Sequence, residues 1–374
     1  MTKNILIVAG EVSGDIHASH LVKNLKKLDP KIHFFGIGGK NLSGEGVEIL
    51  MSIENLAIIG VWEILSKIPH IREAFAKIKK SVSKNPPDLA ILVDYPGFNL
   101  RLARTLKKQG IPVVYYITPQ VWAWGAFRIG GIKKYVDKAF VILPFEEELF
   151  RRHGIDATFI GHPLLETLKE SSLNRSSMGL DEKKLTLAIL PGSREREVKC
   201  MLPIMLKACE IVSQEKPAQF LLLRNSSVED SLYDELIAQS SIEITSVKDD
   251  TRGCLAMSDF VFTSSGTATL ETAIVEKPML IIYKTSFLTA LLFKIFARTP
   301  FIGLVNIIAK RRVSPELLQY DATPKRLAKE ILKILSSKKE QELQIEGLRE
   351  VKKILGTPGA SERAARLILE FISR

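Results

Sequence analysis

Short apolar runs alternate with helical patterns along almost the whole chain, and this restricts it to an α/β fold built on parallel sheets. Ile5–Ala9, Ile32–Phe35, Leu89–Val93, Pro112–Ile117, Lys138–Leu143 and Thr158–Ile160 read as strands. His17–Leu28, Trp62–Lys79, Leu100–Gln109 and Phe145–His153 read as the helices between them. Leu89–Val93 is apolar at every position, as a strand must be when helices cover both faces of its sheet. A polar stretch, Lys169–Lys184, then interrupts the pattern and is expected to link two halves. Beyond it the alternation restarts, with strands at Leu185–Leu190, Ala218–Leu223, Ile242–Thr245, Phe260–Thr263 and Met279–Tyr283. Helical patterns follow at Glu195–Gln214 and Thr267–Glu276, and from Pro324 onward the chain reads as charged helix.

The 374 residues suffice for two such α/β halves. A ligand is expected in the cleft that they would face, beyond the carboxyl ends of the strands. The net charge of +11 favours anionic partners. Zinc-finger spacing, the RRM aromatic signature and leucine-zipper heptads are missing, which argues against a nucleic-acid binder. Phosphorylated substrates or an acidic bilayer surface remain. Three cysteines, Cys200, Cys209 and Cys254, show no paired spacing, which suits a reducing cytoplasm. The apolar N-terminal run is short and meets Glu11 and Asp15, so it reads as a first strand and not a signal peptide. No apolar run reaches the ~18 residues of a membrane span.

Four loops at strand ends carry the candidate chemistry. Gly10-Glu11-Val12-Ser13-Gly14-Asp15 is neither G-x-G-x-x-G nor a P-loop. A strand-to-helix turn capped by Ser13 or Asp15 would explain most of it, leaving Glu11 as a carboxylate facing the expected cleft. In Val93-Asp94-Tyr95-Pro96-Gly97-Phe98-Asn99, Asp94 ends a rigid strand. It is either a turn residue or a base that accepts the proton of an attacking sugar hydroxyl. Leu190-Pro191-Gly192-Ser193-Arg194 offers backbone amides and an arginine to a pyrophosphate. Thr263-Ser264-Ser265-Gly266-Thr267-Ala268-Thr269-Leu270-Glu271 runs from strand through a Ser/Gly turn into a helix, a second anion site. Glu271, near the start of that helix, could accept both hydroxyls of a ribose.

No D-x-D pair follows an apolar strand, so no metal is expected at the diphosphate. His17 and His20 share a helix face without an evident third ligand and read as structural. Two stretches combine bulky apolar residues with lysine and arginine, as interfacial helices do: Trp62–Ile71 continuing through Phe75 and Ile78, and Ser286–Arg298. Core-facing helices would look much the same.

In joint order and spacing these loops resemble the lipid-A-disaccharide synthases, inverting glycosyltransferases of the GT-B type. The fragments that carry the resemblance are Ala9–Asp15, Val93–Asn99, Thr118-Pro119-Gln120-Val121-Trp122-Ala123-Trp124, Leu143–Glu146, Ile160–Pro163, Leu190–Arg194 and Ser265–Ala268. The resemblance covers nearly the whole chain. Two departures are visible: Val305 stands where the family pattern has proline, and Gly97 where an aspartate is common.

The resemblance implies two Rossmann-like domains facing a cleft. Residues 1–168 would take the acceptor, residues 185–345 the UDP-sugar, and 346–374 would return as a helix to the first domain. It implies that UDP-2,3-diacylglucosamine donates its sugar to the 6-hydroxyl of 2,3-diacylglucosamine 1-phosphate, giving a β-1,6 disaccharide 1-phosphate and UDP in lipid A biosynthesis. Asp94 and Glu11 would be the catalytic carboxylates. Gly192, Ser193, Arg194, Ser265, Gly266, Thr267, Glu271 and Asn306 would contact the donor. Ser13, Asn99, Gln120, Trp122 and Trp62 would contact the acceptor or lipid. No cofactor is expected. The expected location is the cytoplasm, peripheral to the inner face of the cytoplasmic membrane, with homodimerisation left open. The alternatives within the same fold are a UDP-sugar 2-epimerase or a transferase acting on another lipid-linked sugar.

Overall fold

The computed structural model describes residues 2–55, 63–122, 125–167, 171–284 and 300–373, side chains at 55, 63–68 and 167 excepted. Trp62, Trp124 and the expected lipid helix Ser286–Arg298 lie outside these segments. The chain divides into two compact units, Met1–Pro163 with Leu355–Arg374, and Leu164–Ile354.

The first unit is built on β1 (Asn4–Ala9), α1 (Val12–Leu28), β2 (His33–Gly38), α2 (Lys40–Gly44), β3 (Glu48–Ser52), α3 (Glu63–Lys84), β4 (Leu89–Val93), α4 (Pro96–Lys107), β5 (Val113–Tyr116), α5 (Ile129–Tyr135), β6 (Lys138–Val141), α6 (Pro144–Arg152) and β7 (Ala157–Phe159). Its strands pair in parallel in the order β3-β2-β1-β4-β5-β6-β7. The residues of β4 and all but the first of β1 are fully buried, which explains why these runs lack polar positions. Sequence order reverses between β1 and β4, so the loops leaving these neighbouring strands diverge and open a crevice at their carboxyl ends.

The C-terminal helix, Ala360–Ile372, also belongs to this unit and packs on α1. Its buried stripe of Ala360, Ala364, Ala365 and Ile368 lets the helices approach closely, and Asn24 Nδ2 donates to Ser361 Oγ at 2.9 Å. Arg363 fixes the returning segment by donating to the carbonyls of Ile160, Thr357 and Pro358 at 2.7–2.8 Å.

The second unit contains α7 (Leu164–Thr167), β8 (Leu185–Leu190), α8 (Glu195–Glu215), β9 (Ala218–Arg224), α9 (Asp230–Ile237), β10 (Ile244–Lys248), α10 (Thr251–Met257), β11 (Phe260–Ser264), α11 (Thr267–Ile274), β12 (Met279–Tyr283) and β13 (Glu316–Leu318). Its parallel order is β10-β9-β8-β11-β12-β13, with the same reversal between its first and fourth strands, here β8 and β11. Helices Pro324–Ser336 and Lys338–Ile354 complete the unit. The buried Leu327, Ala328, Ile331, Ile334 and Leu335 of the former join the core formed by α8.

The polar stretch expected as a linker is put to a different use. The division between units falls at Pro163/Leu164, ahead of it, and the described part, 171–184, is anchored within the second unit. Arg175 pairs with Asp259 at 2.8 Å and donates to the Met257 carbonyl at 2.8 Å, and the Ser171 hydroxyl donates to Asp250. Its polar residues therefore serve as fixings on α10 and the start of β11.

Asp15 does not cap its own helix either. Glu11 occupies the N-cap of α1, with no side-chain capping bond there. The buried Asp15 carboxylate instead accepts from the backbone amides of Gly39 (2.6 Å), Asn41 (3.0 Å) and Leu42 (3.3 Å) and from Asn41 Nδ2 (2.9 Å). It thus closes the N-terminus of α2 and ties the β2–α2 loop to α1. Asp15→Ala should destabilise the first unit by about 2–4 kcal/mol, because several buried donors lose a charged acceptor together. A urea unfolding midpoint shared with the unaltered protein would contradict this.

Candidate active site

Each unit presents a polar constellation where its strand order reverses. In the first unit these are the loops after β1 and β4. Gly10 is required there because Tyr95 lies over it: a Cβ at Gly10 would come within 2.2 Å of the Tyr95 ring. This packing joins the Glu11 loop to the Asp94 loop. Asp94 and Tyr95 both adopt left-handed backbone, with φ of 45° and 46°. Pro96 then opens α4 at a position where its missing N–H costs nothing.

Burial raises the Asp94 carboxyl to about 6, and the neighbouring Glu11 charge adds to the rise. A hydrogen bond from the Tyr95 backbone amide and the charge of Arg128 work in the opposite direction. A carboxylate with such a value is ionised at neutral pH yet more basic than an exposed one, as a proton acceptor requires. Arg128 was not singled out in the sequence. It ends the 3₁₀ turn Ala126–Arg128, and only the folding of the β5–α5 connection brings its charge to Asp94. Glu11 and Ser13 are exposed at the start of α1.

The remaining acceptor-side residues divide. Gln120 is half-buried in the loop after β5. Trp122 is held inward: its Nε1 donates to Glu146 Oε1 at 2.8 Å, and its ring meets Phe145 edge-on at 5.2 Å. Glu146 is fully buried and also accepts from the amides of Ile142 and Leu143 at 3.3 and 3.1 Å, closing the first turn of α6. Burial lifts its carboxyl to about 7, against the pull of Trp122 and the two amides. Asn99 corrects the sequence expectation. It is fully buried, and its Nδ2 donates to the carbonyls of Val93 (3.0 Å) and Asp94 (2.7 Å), so it braces the site from beneath and presents no amide to a ligand. Burial holds His17 and His162 down to about 4 and about 3, with their mutual proximity and that of His20 adding to burial, so these two imidazoles are neutral at pH 7.

In the second unit the neighbouring strands β8 and β11 bring the loops 191–194 and 265–267 together. Gly192 has φ +119°, and a Cβ there would meet the Glu197 side chain at 2.4 Å. Glu197 turns back to accept from the Ser193 amide at 3.2 Å and approaches Arg194 Nη1 at 3.7 Å. One of the amides expected to be open to an anion is thus engaged by a carboxylate, while the Arg194 side chain is 74% exposed. In the other loop Gly266 (φ +127°) precedes α11, Ser265 Oγ donates to the Ile302 carbonyl at 3.0 Å, and Thr269 Oγ1 donates to the Gly266 carbonyl at 2.7 Å. The half-buried Glu271 has no hydrogen-bond or ion-pair partner for its carboxylate among the described residues, and burial alone lifts it to about 7.

Asn306 is a second correction. It is fully buried, and its amide is saturated: Nδ2 donates to Ser314 O (2.8 Å) and Glu316 Oε1 (2.7 Å), and Oδ1 accepts from Val313 N (2.7 Å) and Ser314 N (2.9 Å). No donor or acceptor is left for a nucleotide. Its partner Glu316 accepts from the amides of Ile302 and Gly303 at 3.0 and 2.9 Å, so the pair fixes the segment on which Ser265 rests. Trp62, the last of the expected contacts, lies outside the described residues.

Comparison with solved structures places both units in one fold. UDP-GlcNAc 2-epimerase from Neisseria meningitidis, bound to UDP-GlcNAc, superposes with a TM-score of 0.69 at 12% identity over 98% of this chain and 100% of its own. The calicheamicin glycosyltransferase CalG4 gives 0.62 at 13% identity over 100% of this chain and 99% of its own. The architecture is that of GT-B glycosyltransferases and the epimerases that share it. At the sequence level, a lipid-A-disaccharide synthase from Syntrophus aciditrophicus is 44% identical, covering 100% of this chain and 99% of the relative. One from Geobacter sulfurreducens is 40% identical over the full length of both. The sequence model described as lipid-A-disaccharide synthetase matches residues 5–370, and with these relatives it places the chain in the lipid-A-disaccharide synthase family.

Proposed function

We propose that this glycosyltransferase condenses UDP-2,3-diacylglucosamine with 2,3-diacylglucosamine 1-phosphate, releasing UDP and the β-1,6-linked disaccharide 1-phosphate. The observation that carries the reading is Asp94: a largely buried carboxylate, raised to about 6, at the crevice where the strand order of the first unit reverses. Asp94 takes the proton of the acceptor 6-hydroxyl as its oxygen attacks the anomeric carbon. The bond from that carbon to the diphosphate breaks, and UDP leaves with the electron pair. Glu11 raises the basicity of Asp94 by like-charge repulsion, and Arg128 limits the rise. The Gly266 turn and Arg194 supply amides and positive charge to the departing diphosphate. The unpaired Glu271 carboxylate accepts the ribose hydroxyls.

The net charge of +11 suits a phosphorylated, membrane-derived acceptor, and we place the protein at the inner face of the cytoplasmic membrane as a peripheral enzyme. No described helix is long and apolar enough to cross a bilayer. Family membership at 37–44% identity separates this reading from the 2-epimerases, which share the fold at 12–14%.

Incubation with both diacylglucosamine substrates, followed by mass analysis, should give the disaccharide 1-phosphate with one UDP per product, in EDTA as well as without it. UDP release in the absence of the acceptor at an equal rate, or conversion of the donor alone to its 2-epimer, would replace this reading.

A further inference from the structure

The proposed base stands on an unusual piece of backbone. Two successive residues with side chains, Asp94 and Tyr95, occupy the left-handed region, which strains the backbone at each. Such a conformation persists only where the surroundings over-determine it. Here the Asp94 amide still donates to the Tyr116 carbonyl of β5, at 3.2 Å. Its own carbonyl, however, is turned away from the sheet ladder and inward. Two buried side chains meet it there: Tyr115 Oη donates at 2.6 Å and Asn99 Nδ2 at 2.7 Å. The same Asn99 nitrogen donates to the Val93 carbonyl at 3.0 Å, so one amide group spans the two peptides on either side of the Asp94 α-carbon.

Tyr115 is well suited to this task. It is fully buried, and burial keeps its hydroxyl protonated far above neutral pH, so it remains a donor throughout the working range. A tyrosine on a central strand has no need of this bond for packing, since phenylalanine would fill the same volume. What the hydroxyl adds is a fixed direction for the Asp94 peptide, and with it a fixed direction for the carboxylate.

We propose that Tyr115 and Asn99 are positioning residues of the transferase, gripping the Asp94 carbonyl to hold the left-handed turn that aims the Asp94 carboxylate at the acceptor hydroxyl. The inference rests on Asp94 being the base. Neither residue touches substrate. Both act through one peptide group, so their effect belongs to turnover and not to binding, and it disappears when the carboxylate itself is gone.

The test is a double-mutant cycle on the full-length chain with both sugar substrates. Tyr115→Phe should lower kcat about tenfold or more, as expected when a catalytic group is misplaced by a fraction of an ångström, with KM for donor and acceptor changed less than about twofold. Tyr115→Phe added to Asp94→Asn should cost nothing further. Asn99→Ala should show the same pattern, so that one variant remains informative if the other folds poorly. A Tyr115→Phe enzyme with unaltered kcat would overturn the inference, as would an equal loss in the wild-type and Asp94→Asn backgrounds, since the hydroxyl would then act elsewhere. Full activity in Asp94→Asn alone would overturn the base assignment itself, and the inference with it. That outcome is told apart because it needs no change at Tyr115.

Discussion

Asp94→Asn should reduce turnover by about 10²–10⁴-fold while leaving UDP affinity within about twofold of the unaltered enzyme. The amide matches the carboxylate in size and can be held by the same backbone bonds, so the loss isolates the proton-accepting function. UDP affinity is expected to survive because the proposed nucleotide loops, 191–194 and 265–267, belong to the other unit. The pH dependence gives an independent check. Asp94 must be ionised to act, and burial with the Glu11 charge raises it to about 6. The kcat/KM profile should therefore fall on the acid side with a midpoint near 6, not near 4 as for an exposed aspartate. Near-normal turnover in the variant, or an acid limb at the ordinary carboxylate value, would remove Asp94 from the role of base.

Glu271 should pull stability and function in opposite directions. Its carboxyl is lifted from 4.5 to about 7 by burial, with no compensating partner among the described residues. A carboxyl raised in the folded state binds its proton more tightly there than in the unfolded chain. Its favourable contribution is complete below about pH 4.5 and is lost as pH rises through 7. At pH 8 the second unit therefore holds an unpaired, mostly buried charge, and Glu271→Gln should stabilise it by on the order of 2 kcal/mol, with the gain vanishing near pH 4. Urea titrations at the two pH values measure this directly. Glu271→Ala should weaken UDP binding by about 10–100-fold, the loss of two hydrogen bonds to a charged acceptor. A UDP dissociation constant unchanged in Glu271→Ala would exclude Glu271 from the nucleotide site. Stability identical in Glu271→Gln at pH 8 would show that the carboxylate has a partner.

The elements that were legible in the sequence are those whose apolar pattern has no alternative. Leu89–Val93, Leu185–Leu190 and Met279–Tyr283 have the same limits in sequence and structure, because strands covered on both faces are almost wholly apolar, the buried Thr186 of β8 being accommodated by a hydrogen bond from Gln219 Nε2. β3 was missed because Glu48–Ser52 lies at a sheet edge, where only Met51 is buried and the pattern weakens. α5 was missed because Gly130 and Gly131 sit inside it and argue against a helix. Among the candidate residues, chain position placed Glu11 and Asp94 just beyond the carboxyl ends of β1 and β4, where the structure has them. It could not tell that Asn99 and Asn306 face inward. An asparagine whose amide is bonded within the fold and one that waits for a ligand are the same letter in the sequence. Arg128 lacked any local signal, since its neighbourhood with Asp94 is made by the fold alone.

The helix Ala360–Ile372, packed on α1, gives the chain an order of assembly. The second unit is an insertion: its first and last residues, Leu164 and Ile354, interrupt a body formed by residues on both sides of it. During synthesis residues 164–354 can mature while the body that carries the proposed base still lacks its closing helix, so the apolar stripe of α1 stays uncovered until residues 355–374 have followed. A nascent chain stalled or truncated just past Ile354 would keep a finished second unit and an unfinished first one, a species prone to aggregate through α1.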